Sequence, residues 1–207
     1  MNPLIQYPRV QFDHGAVRVL PVELSLLGVK KPLFVTDQGV VKAGVFDKVR
    51  NAMPKGEALV VFDRIPENPT VDGVNQALDL YRANGCDGVV SVGGGSVIDS
   101  AKAIAVTAGH GGLVTDYMGQ AWKIGPKTAP HIAIPTTSGT GSEVSRGAGI
   151  HPTATTRGNG MNGPYVVAKV AICDPELTLT LPKHLTAATG MEALSHAVEG
   201  YLSKGNN

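Results

Sequence analysis

The 207-residue chain has few cysteines, almost no net charge and no long apolar run. Cys86 and Cys173 lie far apart, which excludes a disulfide framework and is typical of a reducing compartment, so we predict two buried thiols. The 18 Lys and Arg residues balance the 17 Asp and Glu residues and form no basic block. We therefore expect no nucleic-acid partner and no anionic membrane surface as a partner.

No apolar stretch approaches the roughly 18 residues that a membrane span requires. The first residues also lack a basic segment followed by an apolar one. We expect a cytoplasmic location from these two absences. The chain does contain 26 glycines and 14 prolines, which indicates many turns between short elements.

Strand-like and helix-like segments alternate along the middle of the chain. Two segments, 40–52 and 71–84, place apolar residues at helical spacing. This alternation is typical of an α/β fold in which right-handed crossovers connect a parallel sheet with flanking helices. The predicted buried strands, all short and rich in β-branched residues, are 31–37, 57–63, 87–92, 131–135 and 166–173.

Three other segments carry different patterns. Residues 9–13 and 16–20 flank His14 and Gly15 and predict an antiparallel hairpin at the sheet edge. Residues 143–165 show no period and are compatible with either a β-hairpin or an open loop. Residues 186–203 predict a helix with Thr186 as its N-cap.

A first candidate site is the sequence SVGGGSVIDSAK at 91–102, where a strand runs through three glycines into a helix that begins near Ser96. Such a turn presents backbone N–H groups at the positive end of a helix dipole, which suits a phosphate. A tight turn without any ligand explains the glycines equally well. The pattern is neither G-x-G-x-x-G nor a P-loop, so the ordinary dinucleotide fingerprint is absent.

A second candidate site is IPTTSGTGSEVS at 134–145, a run of hydroxyl side chains and glycines after another strand. It suits a pyrophosphate and ribose, although a solvated Ser/Thr turn has the same composition. Ligands of open α/β sheets bind beyond the carboxyl ends of the strands, so both turns can face one crevice. Asp37, at the end of FVTD, could accept hydrogen bonds from a ribose, and Asn68 in ENPT is similarly placed; both could also be ordinary turn residues.

A third candidate site is the pair Glu192 and His196, which are four residues apart and project from one helix face. A carboxylate and an imidazole at that spacing can chelate a divalent metal. Surface pairs of this kind are common, and spacing alone nominates no third ligand. The sequence contains no G-x-S-x-G, C-x-x-C or H-E-x-x-H motif.

SVGGGSVIDSAK, DYMGQ, HIAIPTTSGTGSEVS and DPELTLTLPKHLTAATGMEALSHAVEGYLS together resemble the iron-containing, or group III, alcohol dehydrogenases. The resemblance covers nearly the whole chain. It implies a Rossmann-like dinucleotide-binding domain at 1–181, followed at 182–207 by the first helix of an all-helical, metal-binding domain. It also implies hydride transfer between a small alcohol or aldehyde and NAD or NADP.

The resemblance further implies a set of site residues. Asp37 beside the adenosine ribose favours NAD over NADP, and Glu192 and His196 would bind Fe²⁺, with Zn²⁺ as an alternative. The implied cofactor-binding residues are Asp37, Asn68, Gly94, Gly95, Ser96, Asp99, Thr136, Thr137, Thr140, Thr178 and Leu181.

The chain departs from the family pattern in three ways. Family members are about twice as long, and two further His ligands lie in the helical domain that this chain scarcely begins. Glu192 stands where the family has Asp, which moves the carboxylate outward. Gly158 aligns with a Lys that the family places near the nicotinamide, with Arg157 beside it.

From the motifs we expect the nucleotide-binding half of a metal-dependent alcohol dehydrogenase. Leu194, Val198 and Tyr201 give the last helix an apolar stripe, which favours a homo-oligomer. A catalytically inactive NAD-binding or assembly module is the alternative. A sister activity, such as polyol-phosphate oxidation or a dehydroquinate-synthase-like reaction, is less compatible with the Glu192/His196 segment.

Overall fold

A computed structural model describes residues 7–153 and 160–204 and contains a six-stranded sheet, in which every pair of neighbouring strands is parallel. The sheet strands are β1 (Arg9–Phe12), β2 (Pro32–Val35), β3 (Val60–Phe62), β4 (Gly88–Gly93), β5 (His131–Pro135) and β8 (Val170–Cys173); β6 (Gly147–Ala148) and β7 (Met161–Asn162) form a separate antiparallel pair. The spatial order of the six strands is β1-β8-β5-β4-β2-β3.

Helices connect the strands. They are α1 (Leu20–Leu26), α2 (Gln38–Lys42), α3 (Val45–Ala52), α4 (Val71–Ala83), α5 (Gly95–His110) and α6 (Lys183–Leu202). Short 3-10 turns occupy Ala16–Val19, Val114–Asp116, Ala121–Lys123 and Pro175–Leu177. No helix of the described chain is both long enough and apolar enough to cross a membrane.

Both faces of the central strands β2, β4 and β5 are buried, as is usual for a parallel sheet, whereas the edge strand β1 is largely exposed. Successive residues of β2 point in opposite directions, so Leu33 and Val35 pack with α4 and α5, whereas Phe34 packs with α3. Phe34 meets Phe46 edge to face with ring centroids 6.1 Å apart. All five predicted strands are present and the α/β class is confirmed, although the strands predicted at 57–63 and 166–173 are limited to Val60–Phe62 and Val170–Cys173.

The hairpin predicted for 9–20 is wrong. β1 pairs in parallel with β8, and Ala16–Val19 forms a 3-10 turn that leads into α1. The carboxylate of Asp174 causes this turn, because it accepts hydrogen bonds from the amides of Gly15 (3.0 Å) and Val17 (3.2 Å). Gly15 has φ 69, which permits the reversal.

Four smaller predictions are corrected or decided. The helix predicted at 40–52 is two helices that Gly44, with φ 71, separates. The region 143–165 contains the β6–β7 pair, as the hairpin alternative predicted, with 154–159 outside the described residues. The last helix begins at Lys183 after Pro182, so Thr186 is not its N-cap, and Cys173 is only partly buried whereas Cys86 is buried.

Candidate functional site

A cavity of about 850 Å³ lies where the carboxyl ends of β2, β4 and β5 meet the start of α6. Apolar residues of α2, α3 and the segment 177–185 form much of its wall. The predicted site residues that line it are Asp37, Asn68, Gly94, Ser96, Thr136, Thr137 and Leu181.

The two donor-rich turns pack directly against each other. The amide of Thr136 donates to the carbonyl of Gly93 at 3.0 Å. A Cβ atom on Gly94 would lie 3.2 Å from Cγ2 of Thr137, and one on Gly95 would lie 3.0 Å from Cγ2 of Thr140. Glycine therefore allows the contact, and the shared crevice predicted from strand ends is present.

Two features of this contact suit an anion. Gly94, the N-cap of the 16-residue helix α5, contributes no side-chain hydrogen bond to the first turn, which leaves helix N–H groups available to a ligand. The buried hydroxyl of Thr137 has no hydrogen-bond partner among the described residues. Because an unsatisfied buried hydroxyl is costly, a bound ligand that pairs with it is stabilised.

Ser96 and Asn68 belong to one arrangement. The Ser96 hydroxyl donates to the carbonyl of Glu67, which holds the 66–70 loop over the start of α5. The same loop is fixed on its far side, where the Val71 amide donates to His151 at 2.9 Å and the His151 amide donates to Pro69 at 2.8 Å. Ser96 thus positions the wall that carries Asn68, in addition to lining the cavity.

Asp37 follows β2 at the opposite wall of the cavity. One of its carboxylate oxygens accepts a hydrogen bond from the amide of Val40 at 2.9 Å and so caps α2. Its backbone is extended, which carries the chain from the strand end into the helix. The hydrogen bond therefore fixes the Asp37 carboxylate beside the cavity, just beyond the carboxyl end of β2.

Four predicted residues do not line the cavity. Asp99 accepts from Lys102 at 3.3 Å and from the Gly149 amide at 2.8 Å, because its carboxylate faces the segment after the second turn. Gly95 and Thr140 contact each other behind the wall. The Thr178 hydroxyl donates to Pro175 at 2.8 Å, and its neighbour Thr180 lines the cavity instead.

Sequence reasoning missed the apolar part of the wall. The chief residues it overlooked are Val40, Ala43, Val45, Ile65, Leu177 and Leu185. Helical spacing identified α2 and α3 as amphipathic, but nothing in that pattern separates a residue that faces a cavity from one that faces the core.

Glu192 and His196 lie on α6, four residues apart, with Glu192 partly buried and His196 exposed. α6 runs close to the second turn: a Cβ on Gly139 would overlap the carbonyl of Thr189. Within residues 7–153 and 160–204, no group of three or more His, Cys, Asp or Glu residues could hold a metal ion. Glu192 and His196 are therefore a pair of candidate donors, which the described residues do not complete. Arg157 and Gly158 lie outside the described residues.

Two basic side chains are buried outside the cavity, Lys102 on α5 and His131 at the start of β5. Burial lowers the pKa of Lys102, although nearby Asp99 opposes this shift. Burial also lowers the pKa of His131 to about 3, and the charge of Lys102 adds to the effect. His131 is therefore neutral, and it shares a 2.8 Å hydrogen bond with Ser91.

The chain is similar to several known proteins. A family model described as iron-containing alcohol dehydrogenase matches residues 8–175. A 4-hydroxybutyrate dehydrogenase of Cupriavidus necator is 49% identical over 201 residues, which are 96% of this chain and 52% of that protein. The solved structure of a 1,3-propanediol oxidoreductase matches with a TM-score of 0.89 and 38% identity, over 98% of this chain and 53% of its own.

A second solved structure is that of a sulfoacetaldehyde reductase from Bifidobacterium kashiwanohense in complex with NAD⁺. It matches with a TM-score of 0.89 and 33% identity, over all of this chain and 55% of its own. The chain thus spans about half the length of the relatives it matches. Since the family model covers most of the chain, the protein belongs to the iron-containing alcohol dehydrogenase family.

Proposed function

We propose that this chain is the nucleotide-binding half of an NAD-dependent alcohol dehydrogenase, and that the cavity holds the cofactor. The observation that carries the proposal is the contact between the two turns, with the unpartnered Thr137 hydroxyl at the cavity wall. The pyrophosphate would bind at the start of α5, where backbone amides and a hydroxyl converge. The adenosine would lie along the apolar wall formed by α2 and α3.

We infer that NAD is preferred to NADP. Asp37 lies at the end of β2, where a carboxylate accepts hydrogen bonds from ribose hydroxyls and repels a 2′-phosphate. The structure of the sulfoacetaldehyde reductase, which matches all of this chain over 55% of its own length, was solved in complex with NAD⁺. Gly95 and Thr140 would keep the two turns in contact. Thr178 would shape the segment that carries Leu181. Asp99 would fix the residues that follow the second turn.

We further propose that Glu192 and His196 are the metal donors that this chain contributes, with Fe²⁺ as the metal and Zn²⁺ as the alternative. Carboxylate and imidazole donors fit either ion. When bound, the metal ion supplies Lewis acidity, and NAD supplies the hydride acceptor. The described residues hold the donors one helical turn apart and close to the second turn, through the Gly139–Thr189 contact.

The proposed substrate is a small alcohol or the matching aldehyde. The relatives that match include a 4-hydroxybutyrate dehydrogenase and a 1,3-propanediol oxidoreductase, both named for short alcohols with a terminal hydroxyl. We also propose a homo-oligomer, because Leu194, Val198 and Tyr201 form an exposed apolar stripe along α6. The two free thiols favour the cytoplasm as the location.

Titration of the chain with NADH, followed by cofactor fluorescence and by calorimetry, tests the proposal. We expect saturable binding, tighter for NADH than for NADPH. Thr137→Val keeps the shape of the side chain and removes its hydroxyl, so it should weaken NADH binding by roughly tenfold if that hydroxyl pairs with the pyrophosphate. No binding of NADH at millimolar concentration would refute the proposal.

The alternative is a catalytically inactive NAD-binding module, which would be compatible with the lack of a cluster of three or more His, Cys, Asp or Glu residues in the described part of the chain. Reduction of NAD by short primary alcohols, with added Fe²⁺ or Zn²⁺, distinguishes the two. The dehydrogenase turns over and loses activity in Glu192→Gln and His196→Gln. The module binds NADH without turnover.

A further inference from the structure

Lys102 is a completely buried cation that lies beneath the cofactor-binding turns and not in the cavity. It belongs to α5, two helical turns after the glycines, and its side chain has no solvent exposure. Its ammonium donates to the carbonyl of Gly147 at 2.6 Å, to the hydroxyl of Ser145 at 3.0 Å and to Asp99 at 3.3 Å. All three hydrogens of the ammonium thus have acceptors.

Burial of an ammonium is unfavourable unless charge and hydrogen bonds compensate it. Asp99 provides the paired charge, and the carboxylate of Glu143 also stabilises the protonated form. The acceptors belong to different elements, since Asp99 is on α5 while Ser145 and Gly147 follow the second turn. The ammonium therefore joins that segment to the helix that begins at the glycine turn.

The same segment has a second attachment through Asp99. One carboxylate oxygen accepts from Lys102, and the other accepts from the amide of Gly149 at 2.8 Å. At its other end, the second turn is held by the hydrogen bond from the Thr136 amide to Gly93. Both ends of the turn 136–145 are thus hydrogen-bonded to β4 or α5. At the end near residue 145, Lys102 donates two of the hydrogen bonds and Asp99 accepts one.

We propose that Lys102 is a positioning residue for the cofactor: its ammonium clamps the exit of the second turn onto α5 and so keeps Thr137 beside Gly94. This inference rests on the proposed function, because it assumes that the paired turns bind the pyrophosphate. Lys102 does not line the cavity, so its effect is transmitted through the turn. Preorganisation of this kind raises the affinity for a ligand, because less conformational entropy of the turn is lost on binding.

Lys102→Met tests the clamp, because methionine keeps the length of the buried stem and removes the ammonium. We expect the NADH Kd to rise by about tenfold or more. We also expect faster hydrogen–deuterium exchange in peptides that cover 141–149. The matched control is Val29→Ala, which trims a buried residue that packs against Gly88 at the amino end of β4 and belongs to a core cluster that contains no residue of 141–149. It should leave the NADH Kd and the exchange of 141–149 unchanged, even where it lowers the melting temperature.

Ser145→Ala removes one acceptor and leaves the lysine in place, so it tests the clamp even if Lys102→Met fails to fold. A rise of about threefold in the NADH Kd and faster exchange at 141–149 are expected. In the double variant, the two effects on the NADH Kd should be less than additive, since both changes remove the hydrogen bond between Lys102 and Ser145. Unchanged exchange and unchanged Kd in Ser145→Ala and Lys102→Met would overturn the inference. If the unmodified chain failed to bind NADH, the proposed function would fail instead, while exchange would still report on the clamp.

Discussion

The burial of His131 makes the stability of this fold depend on pH between about pH 7 and about pH 3. The imidazole is buried at the start of β5, with Nε2 within 2.8 Å of the Ser91 hydroxyl. Its Nδ1 has no partner among the described residues. Burial and the neighbouring ammonium of Lys102 hold the pKa of His131 at about 3, compared with 6.5 for an ordinary histidine.

The sign of the effect follows from this lowered pKa. Between pH 6.5 and about 3, the unfolded chain binds a proton at this histidine and the folded chain does not. The contribution of His131 is complete above pH 6.5 and is lost progressively as the pH falls. At about 1.4 kcal/mol per pH unit, the free energy of unfolding should fall by about 2 kcal/mol from about pH 7 to about pH 5.

Urea unfolding at several pH values across that interval, followed by circular dichroism, measures this loss. His131→Gln offers an amide near the position of Nε2 and does not titrate. It should therefore lower the stability at neutral pH but remove about 2 kcal/mol of the pH dependence. His184→Gln, a change at an exposed histidine on α6, is the control and should retain the full slope.

Parallel pH slopes for the unmodified chain and His131→Gln would refute the reasoning. They would mean that the imidazole accepts a proton in the folded state as readily as in the unfolded chain. An observed loss well above 2 kcal/mol that is equal in both proteins would point to carboxylates instead.

Three further predictions concern other parts of the fold. Gly94→Val places a branched side chain against Thr137, whose Cγ2 is only 3.2 Å from an ideal Cβ, so calorimetry should show NADH binding weakened by at least about tenfold; unchanged affinity would contradict the packing of the turns. Asp174→Ala removes the acceptor for the Gly15 and Val17 amides and should cost about 2–3 kcal/mol in urea unfolding, whereas a loss below about 0.5 kcal/mol would count against this role. The new Cβ in Gly139→Ala would overlap the carbonyl of Thr189, so limited proteolysis should cleave α6 faster, and an unaltered digestion pattern would contradict that contact.

The sheet and its two donor-rich turns could be predicted from the sequence because each depends on local pattern. Buried parallel strands are continuous apolar runs, and the glycines and hydroxyls that follow two of them are visible without knowledge of the fold. The rule that ligands bind beyond the carboxyl ends of such strands then places both turns in one crevice. Gly94 and Thr137 line a common cavity for this reason.

The edge of the sheet could not be predicted in the same way, because a distant residue decides it. Asp174 is 159 positions from Gly15, yet its carboxylate turns the chain after β1 into a 3-10 turn. Glu23 likewise binds Arg9 and Gln11 on the edge strand. The two short segments on either side of His14 and Gly15 predicted a hairpin, but these long-range contacts produce a different structure.

Long-range contacts also decide which polar residues near the cavity can face a ligand. The family resemblance implied a cofactor contact for Asp99, but its carboxylate accepts hydrogen bonds from Lys102 and from the amide of Gly149. Whether a polar side chain faces a ligand or another part of the chain depends on which partners the tertiary fold brings within hydrogen-bond distance. The sequence indicates which polar residues are candidates for a ligand contact, but it does not show which hydrogen-bond partners the fold brings close to them.

The apolar wall of the cavity is the part that sequence reasoning finds least readily, and the reason is chemical. A pyrophosphate requires N–H and O–H donors, which are rare in buried strand ends and therefore conspicuous. An adenine requires an apolar slot with few polar groups, and the residues that make it are the same types that fill a core. Val40 lies in the cavity wall while Phe46, in the next helix, lies in the core, although both have helical spacing. For a cofactor that contains both a pyrophosphate and an adenine, the sequence therefore indicates the residues near the phosphates more readily than the residues near the ring.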